Sequence, residues 1–182
     1  MEKYIATPNS EIIGATMQNF FVSQHTQPFD HVVREILDVY SIDTFNEDEW
    51  YPAELALELF QAIEIRTNKQ NLVALGIAYV DTALFPPEVN SIESGLTLLA
   101  NTYDINCRNV AKNEGYTTKI IDTDHIQVED SNPFPHDVVY GFIWGLCRRF
   151  KEKGEHFSVH REYMSPENPD SRGAIYNIYI ER

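Results

Sequence analysis

The sequence predicts an α+β fold: N-terminal helices packed on a four-stranded antiparallel sheet, formed by two hairpins separated by one helix. Three observations carry that expectation. Through the first 112 residues, apolar side chains recur at three- and four-residue spacing, the mark of helices buried on one face. Past Gly115 the period drops to two, over 116–130 and again over 157–181. Between those stretches the helical period returns over 138–153. Hairpins that flank one helix join naturally into a single antiparallel layer with the helix across one face.

The helices follow in order. Ile12, Ile13, Met17, Phe20 and Phe21 fall on one helical face, and Pro28 ends that pattern. Asp30 is placed to cap a second helix carrying Val32, Val33, Ile36, Leu37 and Tyr40, which ends near Ser41. Acidic residues from Asn46 to Glu49 precede a third helix with Leu55, Ala56, Leu59, Phe60 and Ile63 on its apolar face. Pro52 stands near its start, where a missing N–H is tolerated. A fourth helix covers Leu72 to Leu84, interrupted by Gly76 and closed by Phe85-Pro86-Pro87. Ser91 with Ser94 begins a fifth, read as running through Leu96, Leu99, Tyr103 and Cys107 to a left-handed glycine at Gly115.

Tyr116–Asp122 and His125–Asp130 read as strands joined at Asp122-Thr123-Asp124. Ile126 and Val128 share one face, while His125, Gln127 and Glu129 share the other. Asp137 is placed to cap a helix from Val138 to Lys153, with Gly154 beyond it. Phe157–Tyr163 and Ala174–Glu181 form the second hairpin around a polar, mobile loop, Ser165–Gly173. Gly141 and Gly145, four apart, are expected to let that helix approach the sheet closely. The whole chain, 1–182, reads as one domain, with 1–112 mainly helical and 113–182 as hairpin, helix, hairpin.

Composition narrows the function classes. Fourteen basic residues against 28 acidic ones leave a net charge of −14. That field repels nucleic acid and anionic membrane surfaces within about 8 Å at physiological salt. The one basic cluster, Arg148, Arg149, Lys151 and Lys153, suits a helix C-terminus. Neither a signal peptide nor a membrane-spanning run is visible, so the expected location is cytoplasmic. No Walker loop, dinucleotide glycine fingerprint, nucleophile elbow or zinc-protease helix occurs, and no residue constellation identifies an enzyme.

The run Asn132-Pro133-Phe134-Pro135, Tyr140-Gly141 and Gly145-Leu146-Cys147-Arg148-Arg149-Phe150 resembles the central helix of 4-vinyl reductase domains. Asp170-Ser171-Arg172-Gly173-Ala174-Ile175-Tyr176 is similar to their closing hairpin, although Ser171 and Ile175 stand where that family has cysteines. This group shares its fold with heme nitric-oxide/oxygen-binding domains and with subunits of a Golgi transport tethering complex. The resemblance implies a ligand-binding or sensory domain whose ligand lies between helices and sheet. The heme branch places an iron-ligating histidine on the helix before the first hairpin, and Ile92–Lys112 contains none. It also has a Tyr-x-Ser-x-Arg motif for the propionates; Tyr163-Met164-Ser165-Pro166-Glu167 puts a carboxylate in place of the arginine. Heme bound in that family's manner is therefore disfavoured, and the cofactor stays unknown.

The residues singled out for a binding site are Tyr79, Tyr103, Cys107, Tyr140, Trp144 and Cys147. Their rings and thiols suit an apolar cavity with hydroxyls to orient a ligand, although plain core filling is the more ordinary role for such residues. His25, His31, His125, His136, His156 and His160 are scattered, and no metal site is expected. His156 and His160, four apart on a strand, stand roughly 13 Å from each other, too far to share an ion. The expected function is a non-catalytic small-molecule sensor acting through a separate signalling protein. The alternative is an assembly protein of the same fold working through helix-face contacts, and a homodimer suits either.

Overall fold

The computed structural model describes residues 4–22, 29–165 and 173–182. His25, Pro28 and most of the polar loop, with Glu167, Ser171 and Arg172, lie outside the described residues. The first half runs β1 (Glu11–Ile13), α1 (Gly14–Phe21), α2 (Asp30–Val39), β2 (Trp50–Pro52), α3 (Ala53–Arg66) and α4 (Lys69–Thr82). Then come α5 (Ile92–Thr97), α6 (Leu99–Asn106) and β3 (Cys107–Arg108). The second half is β4 (Tyr116–Asp122), β5 (His125–Asp130), α7 (His136–Phe150), β6 (His156–Tyr163) and β7 (Ala174–Glu181).

The second half follows the sequence expectation closely. Its four strands form one antiparallel sheet in the order β4-β5-β7-β6. Ile126 pairs with Ile178 and Val128 with Tyr176, and these residues turn inward, where Ile143, Leu146 and Cys147 of α7 meet them. Asp124 N donates to Asp122 Oδ1 at 2.9 Å to close the first hairpin. Asp137 does not cap α7, which starts after Pro135; it instead holds Arg161 of β6 at 2.8 Å.

Gly141 and Gly145 serve a different contact from the one expected. They face α4, not the sheet. A Cβ on Gly141 would stand 2.1 Å from Val73 O, and one on Gly76 would stand 2.1 Å from Val138 O. Backbone therefore meets backbone where α4 crosses α7, and no side chain larger than hydrogen fits at either point. Arg149 reinforces the crossing by donating to Ala83 O at 3.0 Å and to Val80 O at the end of α4. The basic cluster stands at the C-terminus of its own helix as expected, with Arg148 and Arg149 in the last turn of α7, and Arg149 also reaches the end of α4.

The first half departs further. Ile12 and Ile13 belong to a strand, not to the first helix, and the fifth helical stretch stops at Asn106 instead of reaching Gly115. Both corrections have one cause, a three-stranded sheet in the order β2-β1-β3. Ile12 pairs with Tyr51 on one side and with Cys107 on the other. Gly115 does adopt φ +129°, but it turns the chain into β4, pressed against the Tyr103 ring. The Ser91–Ser94 capping box is present as read, and Asn68 caps α4 by accepting from Asn71 N at 3.2 Å. Leu98 alone separates α5 from α6.

Apolar packing forms two cores. One lies among α1, α2, α3 and the small sheet, and the other between α7 and the large sheet. Tyr116 and Phe134 touch both and mark the seam. Among the described residues no helix is long and apolar enough to cross a membrane.

Candidate functional site

The hollow space of interest lies at that seam. A cavity of about 50 Å³ is bounded by Thr16 and Phe20 of α1, Tyr79 of α4, Tyr103 and Asn106 of α6, and Phe134, Val138 and Phe142 around α7. A wider cleft of about 660 Å³ opens beside it, between α1, α6 and the chain that leaves α4. Thr16, Tyr79, Thr102, Asn106 and Phe142 border both and form the neck between them. Cavities of about 150 Å³ admit benzene, so the inner chamber alone takes only a small apolar tip. The cleft is within the usual size of small-molecule sites, about 300–1,000 Å³.

Aromatic packing fixes the neck. Tyr79 stacks on Phe20 with centroids 4.3 Å apart and meets Phe142 edge-on at 5.4 Å. Its hydroxyl comes within 3.5 Å of Thr16 Oγ1, a separation at the limit of a hydrogen bond. Tyr103 donates to Glu114 Oε1 at 2.6 Å, and Thr7 donates to the other oxygen of the same carboxylate. Glu114 thereby ties the N-terminal segment to the cavity wall. Burial raises the Tyr79 and Tyr103 phenols above their ordinary range. It also pushes the Cys107 thiol up to about 12, against the opposing pull of the Tyr103 hydroxyl. All three shifts run away from neutral pH.

Behind Tyr116 lies a buried polar group of a different kind. Asp130, fully buried, accepts Asn132 N on Oδ1 at 3.0 Å. Its Oδ2 has no hydrogen-bond partner among the described residues and stands 3.8 Å from His136 Nδ1. Burial raises the Asp130 carboxyl, and His136 pulls it back. Tyr176 donates to His136 O at 3.1 Å, locking the first turn of α7 to β7.

The structure brings three of the six singled-out residues together. Tyr79, Tyr103 and Cys107 all line the inner cavity. Tyr140, Trp144 and Cys147 do not. Cys147 is sealed between α7 and the sheet, while Trp144 packs on Phe157 under Arg148. Tyr140 faces Arg161. Sequence reading missed Thr16, Phe20, Thr102, Asn106 and Phe142. Only Phe134, inside the Asn-Pro-Phe-Pro run, carried a signal. Asn106, a polar residue closing a helix, gave no hint of its position at the neck. His156 and His160 are both exposed on β6, and no cluster of metal ligands occurs among the described residues.

No family model matches the sequence, and no curated protein matches it. Solved structures do. An H-NOX mutant structure labelled Cs shares 14% identity at a TM-score of 0.69, covering 94% of this chain and 97% of that one. The H-NOX protein of S. oneidensis in its Fe(II)NO state shares 12% at 0.67, over 94% and 100%. A mutant T. Tengcongensis H-NOX shares 15% at 0.65, over 92% and 94%. Heme is the group this fold implies, and the residues present do not fit it. Among the described residues, no histidine, lysine or arginine lines the cavity or the cleft. Tyrosine and cysteine can ligate heme iron, but Tyr103 and Cys107 line the inner chamber of about 50 Å³, which is too small for a porphyrin. With no cation among the described residues of either wall, two propionates would be left uncompensated there. The chain has the fold of H-NOX domains.

Proposed function

We propose that this protein is a non-catalytic small-molecule sensor, related through its fold to heme nitric-oxide-binding domains and through its central helix to 4-vinyl reductase domains. A small apolar or aromatic ligand occupies the cleft and presses its apolar end against the Tyr79 neck. The observation that carries this reading is the cleft of about 660 Å³ meeting a largely apolar chamber at five shared residues.

The connections of its walls supply a route for the signal. β1 leads directly into α1, and β3 follows directly from α6, so the two walls are tied through the pairing of Ile12 with Cys107. A ligand that favours one spacing of α1 and α6 favours one arrangement of that small sheet, which is a population shift. A separate signalling protein would then read the outer surface.

Native mass spectrometry of the purified protein tests the reading. A co-purified small molecule, lost when Ala15→Trp fills the cleft mouth, is the expected result. Persistence of the bound mass in that variant would place the ligand elsewhere. A chain that never retains a ligand, yet self-associates through helix faces, would favour the assembly role.

A further inference from the structure

We infer that the cleft selects an uncharged ligand that offers a carbonyl, amide or hydroxyl group to the neck, and that Asn106 is the residue that reads it. The inference rests on the ligand-binding role proposed above and adds the chemical class of the ligand.

Two observations point the same way. The first is the charge of the walls. Among the described residues bordering cavity and cleft, Glu47 alone is charged, and it is exposed at the rim. An anionic ligand would enter a chain of net charge −14 and meet no cation among the described lining residues. A cationic ligand would find, among the same residues, a counter-charge only at the solvent edge, too far out to offset desolvation at the neck.

The second is the set of neutral polar residues at the neck. Thr16, Tyr79 and Asn106 all border both chambers. Thr102 also stands there, but its hydroxyl is committed to Leu98 O at 3.0 Å. Thr16 and Tyr79 hold one another only at 3.5 Å, so a ligand atom can replace that weak contact. The half-buried Asn106 closes α6, one residue before Cys107 pairs with Ile12. A side-chain amide carries a donor and an acceptor, so it matches a carbonyl, amide or hydroxyl without demanding charge. Apolar walls with a few convergent neutral polar groups are the usual means of orienting an uncharged ligand. The same position couples recognition to output, because a ligand drawn to Asn106 pulls on the residue adjoining the β1–β3 pair.

The test is displacement of the neutral dye Nile red from the full chain by three probes on one skeleton: indole-3-acetamide, indole-3-acetate and tryptamine. The acetamide is expected to displace the dye at about one-tenth the concentration of either charged probe. Asn106→Asp, of the same shape, is expected to weaken the acetamide and to favour tryptamine. Circular dichroism confirms that the variant is folded, and Asn106→Gln supplies a conservative control that retains the preference for the acetamide. If a charged probe displaces the dye as well as the acetamide does, if no probe displaces it, or if Asn106→Asp leaves the order unchanged, the inference fails while the site stands. If Nile red does not bind, or binds Ala15→Trp equally well, the ligand-binding reading itself falls and the inference falls with it.

Discussion

The two halves of the molecule solve different problems. In the second, α7 lies on a four-stranded sheet of strands six to eight residues long, and where it crosses α4 the backbones touch. In the first, short helices are held by a three-stranded sheet whose strands have three, three and two residues. The second half is tightly filled, whereas the hollow lies where the first half meets it. Rigid packing on one side and sparse pairing on the other is the arrangement expected of a domain that moves one part against another.

The contrast can be broken most forcefully at α4–α7. Gly141→Ala puts a methyl carbon on the Val73 carbonyl, and backbone cannot step aside as a side-chain end could. A loss of about 3 kcal/mol, measured by urea unfolding, is expected despite the better helix propensity of alanine. Gly145→Ala, which meets Val80 at 3.2 Å, should cost about 1 kcal/mol.

Asp130 sharpens the contrast by pH. Its folded-state pKa is raised, so the folded form holds the proton more tightly than the unfolded chain does. The stability this group contributes is full below about pH 4 and is lost as pH rises through the folded value. Asp130→Asn should therefore stabilise the protein by about 1 kcal/mol at neutral pH and give nothing at pH 3. Equal gains at both pH values would show that ionisation is irrelevant.

The two thiols report on each half separately. Burial pushes both Cys107 and Cys147 up to about 12, so neither should react in the closed state at pH 8. Cys107 sits in a two-residue strand beside the hollow and Cys147 within the sheet-backed core, so labelling at Cys107 should be the faster. A faster Cys147 would reverse the proposed order of rigidity. The smallest effect belongs to the surface: breaking the exposed Lys119–Glu129 pair by Lys119→Ala should change stability by about 0.5 kcal/mol or less.

The same contrast explains what could be read from the chain. Strands of six to eight residues rich in β-branched and aromatic side chains and bounded by turn residues carry their own signal, so 116–122, 125–130 and 174–181 were placed residue by residue. A three-residue strand has no period. Ile12 and Ile13 fit the helical pattern of Met17 and Phe21, and only distant pairing with Tyr51 and Cys107 makes them a strand. The glycines were recognised as a notch, but their partner, α4, is remote in sequence. The site divided in the same manner. Tyr79, Tyr103 and Cys107 were singled out because aromatic and thiol groups suit a cavity, and all three line one. Trp144 and Cys147 satisfied the same criterion on the other faces of α7, and Asn106 satisfied none.

Hydrogen exchange of the protein with and without bound Nile red tests the central claim most directly, since the sensor reading requires the small sheet to feel the cleft. The account predicts altered protection at residues 11–13 and 107–108, with 175–180 of β7 unchanged. Unaltered exchange in the small sheet, or a change confined to β7, would contradict it.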